Sequence, residues 1–322
     1  MIRRTVLSLS ALLLALIGMA QPSRTVAFYN TENLFDTIPS HSSYDEDMLP
    51  LADKRWNSER YTAKLQLISQ TLASISNDHP ALIGLAEVEN QGVVEDLVSM
   101  PALTEAHYSI CHYDSDDERG IDVALLYRPD LFHLEGSRAI KPTADNSTRD
   151  ILTAWGEMDG HQIFIVVMHW PSRIGGVAFT EPLRRECAQQ VRSIVDSVMV
   201  SQPSTRIIVM GDMNDNPLNK SISRDLRAIA RPKTLSDLYN PFAAVWSARR
   251  GSSVYDGRWN QYDNIIVSTN TPLRPIYGRK RAAVYSHPSL LTRRGTPHPT
   301  YSGSRYEGGA SDHLPVYVVI GE

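Results

Sequence analysis

Residues 207–214 read Ile207-Ile208-Val209-Met210-Gly211-Asp212-Met213-Asn214, four apolar residues running into a glycine, a carboxylate and an amide. A run this short, closed by turn formers, is the pattern of a strand buried on both faces. It sets Asp212 where the strand ends and the sheet meets solvent. Gly211 is expected to give the backbone freedom to turn there, and the Asp-Asn-Pro of 215–217 marks a loop. Taken alone, such an acid reads first as a turn cap.

The pattern repeats along the chain. Residues 25–29 form an apolar run that delivers Asn30, Glu32 and Asn33, residues 81–86 one that ends on Glu87, and residues 163–168 one that ends on His169. Further strands are predicted at 122–127 and 151–158. Between them, Tyr61, Leu65, Ile68, Leu72 and Ile75 recur at helical spacing behind Ser58, the expected N-cap. A second helix is expected near Gly92. A third is expected from Thr180 to Met199, with Cys187 on its apolar face.

Towards the C-terminus the order inverts. Asp263 precedes Ile265-Ile266-Val267, and Ser311-Asp312-His313 precedes the run 316–320. Polar groups after strands in one half and before strands in the other share one rim only if those strands run oppositely. A mixed or antiparallel sheet is therefore implied, in sheets stacked between helical layers. The stretch 38–56 reads as a solvated surface loop. Its acids Asp45, Glu46 and Asp47 lack the spacing and glycine of an EF-hand. The stretch 278–309, rich in Gly, Pro, Ser and Arg, reads as a long loop of functional kind.

The 322 residues, 42% of them hydrophobic, suffice for a sizeable core. Arg3 and Arg4, an apolar run from Val6 to Ile17, and Gly18 and Ala20 stand in the order of a secretory signal peptide. Residues 1–20 are expected to be removed, leaving a single domain over 21–322, exported to the periplasm or beyond. The run is too short for a comfortable membrane anchor. The formal charge of -4, about -6 without the leader's two arginines, excludes a strongly basic nucleic-acid coat. Two cysteines, Cys111 and Cys187, are too few for a disulfide framework, and sequence leaves open whether they pair.

Asn30, Glu32, Glu87, His169, Asp212, Asn214, Asp263, Asp312 and His313 thus all fall at or beside strand ends. Carboxylates and amides without a Cys or His cage favour a hard cation, Mg²⁺ or alternatively Mn²⁺. A histidine beside an acid suits activation of water. Cleavage of a phosphate ester uses that combination.

In this order Tyr29-Asn30 with Leu34, Leu85-Ala86-Glu87, Val167-Met168-His169, Gly211-Asp212-Met213-Asn214 and Ser311-Asp312-His313, with Tyr262-Asp263 as a partial sixth, resemble the blocks of the DNase I-like endonuclease/exonuclease/phosphatase superfamily. The resemblance implies a four-layered α/β sandwich, two mixed β-sheets face to face with helices outside, in a secreted bacterial-type member. It implies Glu87 as main metal ligand, Asn30 and Asp312 near the ion, and Glu32 as a second-site ligand. His313 steadied by Asp263 would act as general base, with Asp212 and Asn214 positioning the nucleophile and a phosphate oxygen. His169 would donate a hydrogen bond to the phosphate or a proton to the leaving oxygen; AP endonucleases carry Asn there, which argues against that branch. Ala86 departs from the family's usual Gln. Arg119 and Arg173 are the candidate phosphate contacts. The expectation is a secreted, metal-dependent phosphodiesterase acting as a monomer on DNA or RNA. The alternatives are a phosphatase or sphingomyelinase-like phospholipase, and then a non-catalytic binding module.

Overall fold

The computed structural model describes residues 22–40, 46–144, 148–255 and 257–321. The expected signal peptide and part of the 38–56 stretch lie outside the described residues. Strands in chain order are β1 (Arg24–Leu34), β2 (Leu82–Val88), β3 (Ser109–His112), β4 (Asp122–Tyr127), β5 (Phe132–Ile140), β6 (Ile151–Met158), β7 (His161–His169), β8 (Arg206–Asp212), β9 (Ala228–Ile229), β10 (Leu238–Tyr239), β11 (Ser253–Tyr255), β12 (Arg258–Asn260), β13 (Asp263–Ser268), β14 (Ala282–Val284), β15 (Tyr301–Ser302), β16 (Arg305–Tyr306) and β17 (Val316–Ile320). The α-helices are α1 (Ser58–Ser74), α2 (Gln91–Val98) and α3 (Val177–Ser201).

Two mixed sheets result, ordered β14-β17-β1-β2-β4-β3 and β5-β6-β7-β8-β13-β10-β9. Strand alternation builds the layers, because successive side chains leave a strand on opposite faces. Val26 and Phe28 of β1 meet Ile208 and Met210 of β8 in the core between the sheets. Ala27 and Tyr29 face the other way onto Ile68 and Leu72 of α1. Ile207 and Val209 pack on Cys187, Val191 and Val195 of α3. The architecture is therefore the expected four-layered α/β sandwich. Each fully buried Leu or Ile of these faces contributes about 1.5–3 kcal/mol relative to exposure.

The opposed strand directions are present too. β1 and β2 run parallel, as do β7 and β8, whereas β13 is antiparallel to β8 and β17 to β1. Strand starts in β13 and β17 therefore share a rim with strand ends in β1, β2, β7 and β8.

Several local expectations change. Asn57, not Ser58, caps α1, its side chain accepting the N–H of Arg60 at 3.1 Å. Helix α3 begins at Val177, and the Thr180 hydroxyl bonds back to the Gly176 carbonyl at 3.0 Å, inside the helix. Gly211 lies within β8 and serves close approach in place of turning: a Cβ there would meet the Met168 carbonyl at 2.1 Å. The 38–56 stretch is not wholly solvated, since Met48 is buried and Trp56 fully so, its indole N–H donating to the Phe35 carbonyl at 3.0 Å. The 278–309 stretch carries β14 and the β15–β16 hairpin. Cys111 and Cys187 are buried in different core layers, and no disulfide joins them. No helix of the described residues is long and apolar enough to cross a membrane.

Candidate active site

Three site residues occupy one rung of the second sheet. His169 at the end of β7 pairs in register with Asp212 at the end of β8, which pairs with Asp263 at the start of β13. Across from them, β1 and β2 stay in register as far as Asn30 and Ala86 and then bulge. Glu87 sits in that bulge with φ 61°, and Glu32, Asn33 and Asn214 have φ of 50°, 53° and 48°. A left-handed backbone at a non-glycine residue costs on the order of 1–3 kcal/mol and persists only where surrounding structure enforces it. Here it turns Glu87 off the alternation of β2 and into the rim.

Asn30 joins the two sheets. Its amide nitrogen lies 3.0 Å from Asp212 Oδ2 and 3.4 Å from Glu87 Oε1, while its oxygen accepts the N–H of Glu32 at 3.0 Å. Glu87 Oε2 accepts the N–H of Asn33 at 2.9 Å and lies 3.3 Å from the Arg119 guanidinium. Burial opposes the charge of Glu87, but Arg119, His313 and Arg149 outweigh it and hold the carboxyl below its ordinary range. Arg119 also donates to Asn33 at 2.6 Å and remains 46% exposed, free to meet an anion.

His313 arrives from the loop before β17. Ser311 fixes that loop, its hydroxyl donating to the Asn30 carbonyl at 2.7 Å and accepting the N–H of His313 at 3.0 Å. His313 Nδ1 is 2.7 Å from Asp263 Oδ2, and Nε2 is 3.8 Å from Asp212 Oδ2. Burial disfavours the imidazolium, yet Asp263, Asp212 and Asp312 overcome it and raise His313 well above the usual histidine range. His169 is shifted the opposite way, by burial and by Arg149, Arg119 and His313, and stays neutral. Its Nε2 lies 3.6 Å from Asp212 Oδ2 and 4.0 Å from Glu87 Oε1. Asp212 is pushed up to about 6 by burial and by neighbouring Asp263. The Asp212 side chain accepts the N–H of Asn214, whose own amide donates to the Trp170 carbonyl at 3.0 Å.

Two expectations from sequence meet a different geometry. The carboxylate of Glu32 is turned onto the last loop, accepting the N–H groups of Thr300 at 2.7 Å, Tyr301 at 3.1 Å and Asp312 at 2.9 Å. Both oxygens accept these N–H groups, so Glu32 clamps the loop that carries Asp312. Arg173 donates to the Asn214 carbonyl at 2.6 Å, to Asp215 at 2.7 Å and to Asn219 at 3.3 Å, and stacks over Tyr262. Its donors braces the Asn214 turn, and its side chain is only 13% exposed, which leaves Arg119 as the phosphate candidate.

Two residues went unnoticed in the sequence. Lys64 of α1 is 1% exposed, its ammonium donating to the Glu32 carbonyl and the Thr300 hydroxyl, each at 2.6 Å. A lysine on the Tyr61–Leu65–Ile68 face was the available signal. Arg149, paired with Asp117 at 2.9 Å and donating to the Trp170 carbonyl, had none.

Glu87 and Asp312 supply carboxylate oxygens with no thiolate beside them, a donor set that fits a hard divalent cation, and Asn30 holds Glu87 through its amide nitrogen. The trio Asp212, Asp263 and His313 also has potential ligand atoms within 4.8 Å of one another, but the Nδ1 of its imidazole is taken by Asp263.

A family model described as "Endonuclease/Exonuclease/phosphatase family" matches residues 25–322. Among solved structures, an endonuclease/exonuclease/phosphatase family protein from Bacteroides thetaiotaomicron is 19% identical, with 93% of this chain and 98% of that one covered and a TM-score of 0.61. A mannosyl-6-phosphatase of the same organism is 19% identical, covering 92% and 98%, with a TM-score of 0.58. D. rerio TDP2 complexed with a single-strand DNA product is 16% identical, covering 93% and 99%, with a TM-score of 0.56. No curated protein matches the chain.

Proposed function

The chain belongs to the endonuclease/exonuclease/phosphatase family and is a metal-dependent phosphoester hydrolase; from that premise we propose that it is an exported nuclease that hydrolyses phosphodiester bonds of DNA or RNA with Mg²⁺. The carrying observation is a pair of cavities near the constellation. One of about 520 Å³ reaches Leu314, next to His313. Another of about 490 Å³ is lined by Asn33 and Arg119, both in contact with Glu87. Room for substrate beyond the constellation itself suits a phosphate within a chain better than one at the end of a small molecule. The TDP2 structure with a single-strand DNA product supports the same reading.

In this reading His313 Nε2 takes the proton of the attacking water, and Asp263 on Nδ1 holds the ring and the resulting charge. Asp212 and Asn214 align the water with the phosphorus as the bond to the leaving oxygen breaks. Neutral His169 and Arg119 donate hydrogen bonds to the phosphate oxygens. Glu87 and Asp312, with Asn30 steadying Glu87, would hold a divalent cation, which would polarise a phosphoryl oxygen and lessen the carboxylate field on His313. Residues 1–20 would be the leader and 21–322 the catalytic domain.

The test is the leaderless chain incubated with plasmid DNA, single-stranded DNA, RNA, sphingomyelin, an inositol phosphate and a sugar phosphate, with Mg²⁺, Mn²⁺ or chelator. Metal-dependent loss of nucleic acid supports the proposal. Turnover of the sugar phosphate alone, with nucleic acid intact, would place it with the phosphatases, the reading favoured by the Bacteroides neighbour. Cell fractionation with N-terminal sequencing tests export.

A further inference from the structure

The wall that supports His313 has a second side. Ser253 forms a β-bridge with His313, and the Ser252 carbonyl accepts the N–H of Leu314 at 2.7 Å. Behind residues 251–253 lies the cavity of about 520 Å³, which Gly251 and Leu314 both line. Three separate segments put cations and rings around it. Arg249 and Arg250 precede β11, Trp259 is on β12, Tyr277 and Lys280 precede β14, and His287 follows it. Arg249, Arg250 and Lys280 are exposed, and Tyr277 is 66% exposed. No carboxylate lines the cavity among the described residues. On a chain of net charge -4 that local excess of positive charge is not the surface average. None of these six side chains has a part in the hydrolysis described above.

We propose that this groove is a strand-binding site, taking a single-stranded stretch of polynucleotide that continues beyond the scissile phosphate. The proposal rests on the nuclease reading and deepens it. Cations at the mouth match backbone phosphates, and the tyrosine, tryptophan and histidine rings match unpaired bases, whose faces stack on aromatic side chains irrespective of sequence. A duplex keeps its bases paired within the helix and cannot offer them to these rings. A single phosphorylated head group seated at His313 does not extend past the 251–253 wall. The 278–309 segment, which contributes Lys280 and His287, thereby sets strand preference.

The test compares wild type with the triple variant Arg249→Ala/Arg250→Ala/Lys280→Ala and with Tyr277→Ala. Substrates are a fluorescein-labelled oligonucleotide of about 20 nucleotides, longer than one such groove spans, its duplex, and bis(4-nitrophenyl) phosphate. Wild type should bind and cut the single strand at lower KM than the duplex. The triple variant should raise KM on the strand by about tenfold or more and flatten the log–log salt dependence by about 2, from three lost phosphate contacts. Tyr277→Ala should raise KM by about fivefold or more with kcat kept. Unchanged KM and salt slope in both variants, with the strand still cut, overturns the groove and leaves the nuclease reading standing. Wild type that cleaves the nitrophenyl diester but no nucleic acid overturns the nuclease reading. Failure of the labelled strand to bind wild type, read by fluorescence anisotropy, overturns the groove in that case as well.

Discussion

His313, on the approach to β17 in one sheet, is hydrogen-bonded through Nδ1 at 2.7 Å to Asp263, the first residue of β13 in the other. Asp263 is fully buried, and its charge is among those that hold a proton on His313 against the cost of burial. Asp263→Asn keeps the shape and removes the charge. The imidazolium is then less favoured, the His313 pKa falls, and the neutral base is available at lower pH. The acid limb of kcat/KM on bis(4-nitrophenyl) phosphate should move to lower pH, with the maximum reduced by about 100-fold or more. A limb that stays in place would show that another group sets it.

Glu87 is held as a carboxylate by Arg119 and His313 despite its burial. Glu87→Gln is expected to raise the Mg²⁺ concentration for half-maximal activity by about 100-fold or more, and to weaken Mn²⁺ binding measured by calorimetry in parallel. Chelator should abolish activity in the wild type. Equal metal titrations for the two proteins would take Glu87 out of the cation site.

Lys64 and Glu32 tie α1 to the Asp312 loop. Lys64→Met removes two charged hydrogen bonds at a fully buried position and should cost about 3 kcal/mol in denaturant unfolding. Glu32→Gln should cost less but still loosen the loop, because one of its oxygens becomes a donor facing the N–H groups it once accepted. If cation affinity in Glu32→Gln matched wild type, the clamp would have no bearing on Asp312.

Away from the site, Asp237 accepts the N–H groups of Lys233 and Thr234 at 2.9 Å and the Arg227 guanidinium at 2.7 Å. Burial raises its pKa, but these partners prevail and lower it to about 2 from 3.8. A depressed carboxylate stabilises the fold above its unfolded pKa, and the contribution is lost as pH falls through the folded value. Asp237→Asn should therefore be less stable than wild type at neutral pH. The gap in thermal midpoint should close as the pH drops from 3.8 toward 2.

The apolar runs of 207–210 and 163–168 were legible because a strand's own side chains state how deeply it is buried, and their polar ends followed from that. The opposed directions of β13 and β17 came from the same logic. What local pattern could not carry was anything fixed by distant partners. Lys64 is buried because Thr300, 236 residues away, receives its ammonium. Glu32 has the residue type of a ligand, yet three amides from the C-terminal loop claim it. The left-handed backbone at Glu87 is invisible in sequence, since no glycine marks it. Arg173 lies near the right histidine, but its guanidinium donates to Asn214, Asp215 and Asn219, partners that sequence distance does not reveal.

His169, Asp212 and Asp263 stand on one rung of three adjoining strands, and the neighbouring residues of β8 face alternate core layers. A slip of one residue would carry Asp212 off the rim and turn Met210 and Val209 to the wrong faces together. The site therefore has no private melting transition. Denaturant should extinguish turnover and the slowest amide exchange of β7, β8 and β13 at one midpoint, so the enzyme ages as a whole molecule and not by erosion of its catalytic edge.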